Sequence, residues 1–196
     1  VEIREVAADD VSAVEAVVAS AFEEEPGGRV VRMVRALAAT GAARCGLVAV
    51  DPAVDAAPVV GYVGLSRGWV DARRRLVDVL LLSPLAVRPD RQGSGIGTAL
   101  VAASLAAADR SGAPAVFLEG DPAYYGSRGF APATPLGFER PSTRIPEPAF
   151  QVALLSAHEP WAVGRLVYPE AFWQTDTVGL RDPRLARVEA AGSGER

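Results

Sequence analysis

The chain has 196 residues, 49% hydrophobic and 22% charged, a composition that buries the core of one ordinary soluble domain and is too apolar for a disordered chain. Its 24 acidic and 20 basic side chains leave a net charge of −4, which argues against nucleic acid as a partner. No apolar run reaches the roughly 18 residues of a membrane helix, and no basic-then-apolar leader opens the sequence, so the expected location is the cytoplasm.

There is no lysine, so all 20 basic side chains are arginine. That removes a phosphate-binding lysine of the Walker type, a Schiff base and a lysine general base. One cysteine, Cys45, and one histidine, His158, are too few for a disulfide, a cysteine zinc site or a histidine-rich site, so no metal is expected. Cys45 lies in an apolar run and reads as a buried strand thiol. His158, in Ser-Ala-His-Glu-Pro, reads as a solvated turn residue.

In chain order, residues 1–6 alternate imperfectly, as an edge strand does. Asp9 or Asp10 then caps a helix with Val11, Val14, Val18 and Ala21 on one face, closed by Glu23-Glu24-Glu25-Pro26-Gly27-Gly28. A second helix carries Val30, Val31, Val34 and Leu37 and stops at Gly41. Strands are predicted over 44–50, 59–65 and 76–82, with the arginines of 73–75 at a solvated hairpin tip. The third strand continues into Leu85-Ala86-Val87 and should be bulged or broken at Ser83-Pro84, because proline cannot donate to a ladder. A helix over 95–108, a short buried strand over 115–119, a helical turn over 122–126 and a late strand over 150–155 follow. Beyond about residue 160 the apolar content thins, and 190–196 reads as a frayed tail. The reading is a mixed α/β domain over 1–170 with an extension over 171–196, partly packed and then frayed.

The segment Arg91-Gln92-Gly93-Ser94-Gly95-Ile96-Gly97-Thr98 lies between a strand and a helix. Its three alternating glycines let backbone approach a ligand closely. The first amides of a helix lack internal partners and carry partial positive charge, which makes an anion cradle suited to phosphate. Arg88 and Arg91 flank it. The same glycines also suit a tight strand–helix turn with no ligand. The dinucleotide fingerprint G-x-G-x-x-G fails, because its sixth place holds Thr98 counted from Gly93 and Leu100 counted from Gly95.

The run from Leu85-Ala86-Val87 through Arg91-Gln92-Gly93-Ser94-Gly95-Ile96-Gly97 resembles the pyrophosphate motif Q/R-x-x-G-x-G/A of the GNAT superfamily of N-acetyltransferases. There the motif follows a strand ending Leu-x-Val. A second block, Phe117-Leu118-Glu119-Gly120-Asp121-Pro122-Ala123-Tyr124-Tyr125 with Gly129-Phe130, is similar to the bacterial branch that carries G-D-P-x-Y-Y. So is the strand Phe150-Gln151-Val152-Ala153-Leu154. The resemblance spans about residues 1–170.

It implies a mostly antiparallel central sheet flanked by helices, with central strands splayed into a slot for acetyl-CoA. Amides of Gln92, Gly93, Ser94, Gly95, Ile96, Gly97 and Thr98 would hold the pyrophosphate. The backbone from Leu85 through Ala86 to Val87 would pair with the pantetheine arm, and the Leu85 amide would polarise the thioester carbonyl. Tyr125, four residues before Gly129, stands where the family places its general acid. Packing without proton transfer is the alternative for that ring. For the base, Glu119, Asp121, the acidic run 23–25 and a chain of waters all remain open. The implied activity is direct acetyl transfer to a primary amine on a small molecule or peptide, with a homodimer common in the family. The alternative is a non-catalytic acyl-CoA-binding or sensing module on the same fold.

Overall fold

The computed structural model describes residues 1–22, 28–54 and 58–179; the predicted closing run at 23–27 and the tail from 180 lie outside them. In chain order the elements are β1 (Glu2–Glu5), α1 (Val11–Ala21), α2 (Arg29–Ala39), β2 (Ala43–Val50), β3 (Val59–Ala72), β4 (Leu76–Val87) and α3 (Ile96–Arg110). Then come β5 (Ala115–Glu119), α4 (Pro122–Tyr125), β6 (Ala131–Pro132), β7 (Phe150–Leu154), β8 (Gly164–Val167) and α5 (Glu170–Gln174). The architecture is mixed α/β, with a mostly antiparallel open sheet flanked by helices. The described residues form two compact units, one drawn from 1–66 and 82–107, the other from 67–81 and 108–179; β3 and β4 each contribute to both.

In the first unit β1 pairs with β2 and β2 with β3, both antiparallel. Successive strand residues point to opposite faces, and β3 uses both. Tyr62 joins Val14, Val17, Val18 and Val31 of the first two helices in one apolar cluster. Gly61 faces α3, where an added Cβ would meet Ile96 and Leu100 at 3.0 Å each. The missing side chain lets α3 settle directly on the strand. Val11, expected on the buried face of α1, is 53% exposed, and Val17 takes its place. The α1 stripe is therefore Val14, Val17 and Val18. Asp10 precedes α1 without a side-chain cap bond. Its carboxylate instead accepts from Arg4 at 2.5 and 2.9 Å and from the Ala7 amide at 2.7 Å, holding it near pKa 2.

In the second unit β5 pairs antiparallel with β7, and β7 with β6. Its only registered pairs with β4 are parallel, Leu80 with Val116 and Leu81 with Phe117. Phe117 packs edge-on to Phe138 at 4.9 Å and stacks with Phe150 at 5.9 Å, all fully buried. Two sequence expectations need correcting. β3 runs to Ala72 rather than stopping at Leu65, because β8 pairs with its residues from Trp69 to Ala72. β4 continues to Val87 as expected; of the bulge or break expected at Ser83-Pro84 the break does not occur, and that peptide bond is cis. The segment past 160, expected to thin out, forms β8 and α5; Ala171, Phe172 and Val178 of the predicted extension are buried. Cys45 is half-buried on β2, and His158 lies in a turn with its ring 6.3 Å from Phe138.

Candidate functional site

The strand–helix junction of the first unit forms as its glycines require. Gly93 and Gly95 take φ of +75° and +87°, in the left-handed region that costs other residues strain, and space around both is open. The helix begins at Ile96, and the Ala99 amide donates to the Gly95 carbonyl at 3.0 Å. Amides of Gly93, Ser94, Gly95, Ile96 and Gly97 find no acceptor among the described residues. Gln92, Gly93, Ser94, Gly95 and Thr98 are exposed, while Ile96 is buried and anchors the turn to the core. This is an exposed row of donors at the positive end of a helix, the geometry that receives phosphate oxygens.

Side chains hold the loop in that shape. Ser94 donates to the Arg91 carbonyl at 2.5 Å. Gln92 donates its amide to the Val87 carbonyl at 3.1 Å, joining the loop to the strand end that carries Leu85, Ala86 and Val87. The flanking arginines both pair with carboxylates: Arg88 with Asp90 at 2.9 Å, and Arg91 with Asp51 at 3.1 Å. Asp51 arrives from the end of β2, a partner that no local motif announces.

In the second unit the Tyr125 ring lies against Gly120, the residue that follows Glu119. Asp121 caps α4 by accepting from the Ala123 amide at 2.9 Å, with Pro122 in the first turn where its missing N–H costs nothing. Asp121 is therefore committed to the turn that presents the two tyrosines. Tyr125 is half-buried, edge-on to Tyr124 at 4.9 Å and to Phe130 at 5.8 Å. Arg128 stacks on Tyr124, 3.7 Å from the ring centroid, and donates to its carbonyl. That leaves Tyr124 as packing for the Tyr125 ring. The Gly120 backbone is clamped, its amide donating to Ala149 at 3.0 Å and its carbonyl accepting from the buried Gln151 side chain at 2.9 Å.

Glu119 closes β5. One carboxylate oxygen accepts from the Tyr168 phenol at 2.8 Å and the other from the Gly179 amide at 3.1 Å. Burial lifts its pKa to about 7, against the opposing pull of those two donors and the charge of Arg144. A carboxyl poised near neutrality can both take and return a proton at physiological pH. Tyr168 and Gly179 are 49 and 60 residues away in sequence, so no motif around Glu119 signalled them. The carboxylates of 23–25 lie outside the described residues. Among the described residues no helix is long and apolar enough to cross a membrane.

Comparison with known proteins agrees with this geometry. The acetyltransferase (GNAT) family matches residues 14–138. The Escherichia coli GNAT family N-acetyltransferase YhbS, solved in complex with CoA, is 29% identical with a TM-score of 0.76, over 87% of this chain and 91% of that one. A Brucella melitensis GNAT family acetyltransferase, solved in complex with acetyl-CoA, is 26% identical with a TM-score of 0.68, over 87% of this chain and 97% of that one. The search of curated proteins returns no match.

Proposed function

Because the chain belongs to the acetyltransferase (GNAT) family, we propose that it moves an acetyl group from acetyl-CoA to a primary amine by direct attack. The observation that carries the reading is the loop of 92–98, whose amides from Gly93 to Gly97 find no acceptor among the described residues at the start of α3. The two solved relatives bind CoA and acetyl-CoA, which supports assigning that cradle to the pyrophosphate.

The residues fit the roles that the chemistry requires. An alkylammonium near pKa 10 must lose a proton before attacking, at a cost of roughly 4 kcal/mol at pH 7. Glu119, near pKa 7, takes that proton directly or through water. The amine nitrogen then bonds to the thioester carbon, and the Leu85 amide donates to the oxygen as charge develops there. The carbon–sulfur bond breaks and the departing thiolate receives the Tyr125 phenolic proton, while the second proton of the former ammonium leaves the nitrogen as the amide forms and returns to Tyr125 through water. A phenol of pKa about 10 is protonated at neutral pH and can donate to a thiolate of about 8.5.

The test is a thiol-release assay with acetyl-CoA against a panel of small-molecule and peptide amines, alongside a thermal-shift titration. Stabilisation by acetyl-CoA together with amine-dependent thiol release is expected. Stabilisation with no release from any amine would instead favour an acyl-CoA-binding module. Stabilisation by ATP or NAD and not by acetyl-CoA would overturn the reading.

A further inference from the structure

Tyr168 lies between β8 and α5, in a stretch outside every motif, yet it is 6% exposed and its hydroxyl reaches the Glu119 carboxylate. Its ring is fixed by Phe172 at 4.9 Å and Trp173 at 6.5 Å, both from α5. The turn beyond α5 is closed by its own bonds: the Thr177 amide and hydroxyl donate to the Phe172 carbonyl at 3.0 and 3.1 Å. That turn delivers the Gly179 amide to the second carboxylate oxygen. Arg144 packs over Trp173 at 5.8 Å, pairs with Asp176 at 2.9 Å, and lends part of its positive charge to Glu119. One carboxylate is thus met by two neutral donors on its two oxygens, with the charge of a guanidinium acting on it.

We infer that Tyr168 is a positioning residue, whose phenol stabilises the ionised form of the Glu119 carboxylate against its burial and orients it for the acceptor's proton. The inference rests on the reading of Glu119 as the base. Burial favours the neutral acid, and each donor restores part of what water gave the anion. Tyr168 keeps its own proton for donation, because burial and the neighbouring carboxylate push its ionisation well above 10. A tyrosine that merely tied down the segment after β8 would need no partner that titrates. The charged group acting on Glu119 is Arg144, itself paired with Asp176, with the Tyr168 phenol and the Gly179 amide in contact.

The test uses the full chain with carboxyl-labelled glutamate, the Glu119 signal being identified by its loss in Glu119→Gln. In the parent protein the carbon resonance should titrate near pH 7, and in Tyr168→Phe the midpoint should rise by about one unit. An unchanged midpoint in folded Tyr168→Phe overturns the inference. If that variant fails to fold, uniform replacement of tyrosine by 3-fluorotyrosine, a stronger donor of nearly the same size, should lower the midpoint; no movement then overturns it. The kcat–pH profile with the best amine from the thiol-release panel tests the underlying reading separately. Its acid limb should follow the Glu119 midpoint, move up in Tyr168→Phe and vanish in Glu119→Gln. A midpoint that moves while all three profiles coincide would leave the local electrostatics standing and remove Glu119 as the base.

Discussion

The Tyr125 ring lies so close to Gly120 that a Cβ built there would stand 2.3 Å from its Cε2. The contact holds because Gly120 has no side chain and its backbone is pinned by Ala149 and Gln151. Gly120→Ala should therefore push the ring away instead of moving the strand end. We expect kcat to fall at least tenfold while the acetyl-CoA dissociation constant stays within about threefold, since the substitution misplaces the proposed acid without touching the proposed cofactor loop. Steady-state kinetics with calorimetric titration separates the two effects.

Tyr125→Phe removes the hydroxyl and leaves the ring contacts with Tyr124 and Phe130. Loss of a general acid is expected to lower kcat by on the order of 100-fold, with the penalty smaller for acyl donors whose leaving thiol is more acidic. A uniform loss across donors of different leaving-group pKa would argue for packing rather than proton transfer.

Gly95 has φ of +87° with open space where a side chain would go, so Gly95→Ala introduces backbone strain without a clash. A residue held there costs about 1–2 kcal/mol. If the loop relaxes to escape that strain, its amides leave register with the phosphates, and acetyl-CoA should bind roughly tenfold more weakly. Retained stabilisation by acetyl-CoA in the thermal-shift titration would place the pyrophosphate elsewhere.

Two carboxylates impose opposite pH dependences on stability. Glu119 is raised to about 7 from 4.5, so the folded state holds its proton longer than the unfolded chain. That contribution is complete below about pH 4.5 and is lost as pH rises through 7. Asp10 is lowered to about 2 from 3.8, so its contribution is present above about pH 4 and is lost as pH falls toward 2. Thermal melts across pH should show Glu119→Gln flattening the neutral limb and Asp10→Asn flattening the acid limb. Neither variant should alter the other's limb, because the two groups share no partner.

Much of this arrangement is legible along the chain. Gly93, Gly95 and the helix start at Ile96 follow from neighbouring residues, because φ preference and unpaired helix amides are local properties. The boundaries of β2 and α2 were likewise close, being set by apolar periodicity and the positive-φ glycine at 41. The face of α1 was misread at Val11, since four valines in eight residues leave the stripe ambiguous until a partner surface selects it. β8 and α5 went unseen because a four-residue strand and a five-residue helix carry too little pattern to register.

The division is sharpest between the cradle and Glu119. The sequence by itself determined the glycine turn and the helix start with their unpaired amides, since both lie within residues 85–100, and the family resemblance supplied the expected ligand. Nothing there told Glu119 apart from Asp121, two residues along. Tertiary structure decided that: it turned Asp121 into a helix cap and buried Glu119 under a phenol and an amide from 49 and 60 residues away. Desolvation depends on whatever folds over a group, and a short run of sequence does not contain its own cover.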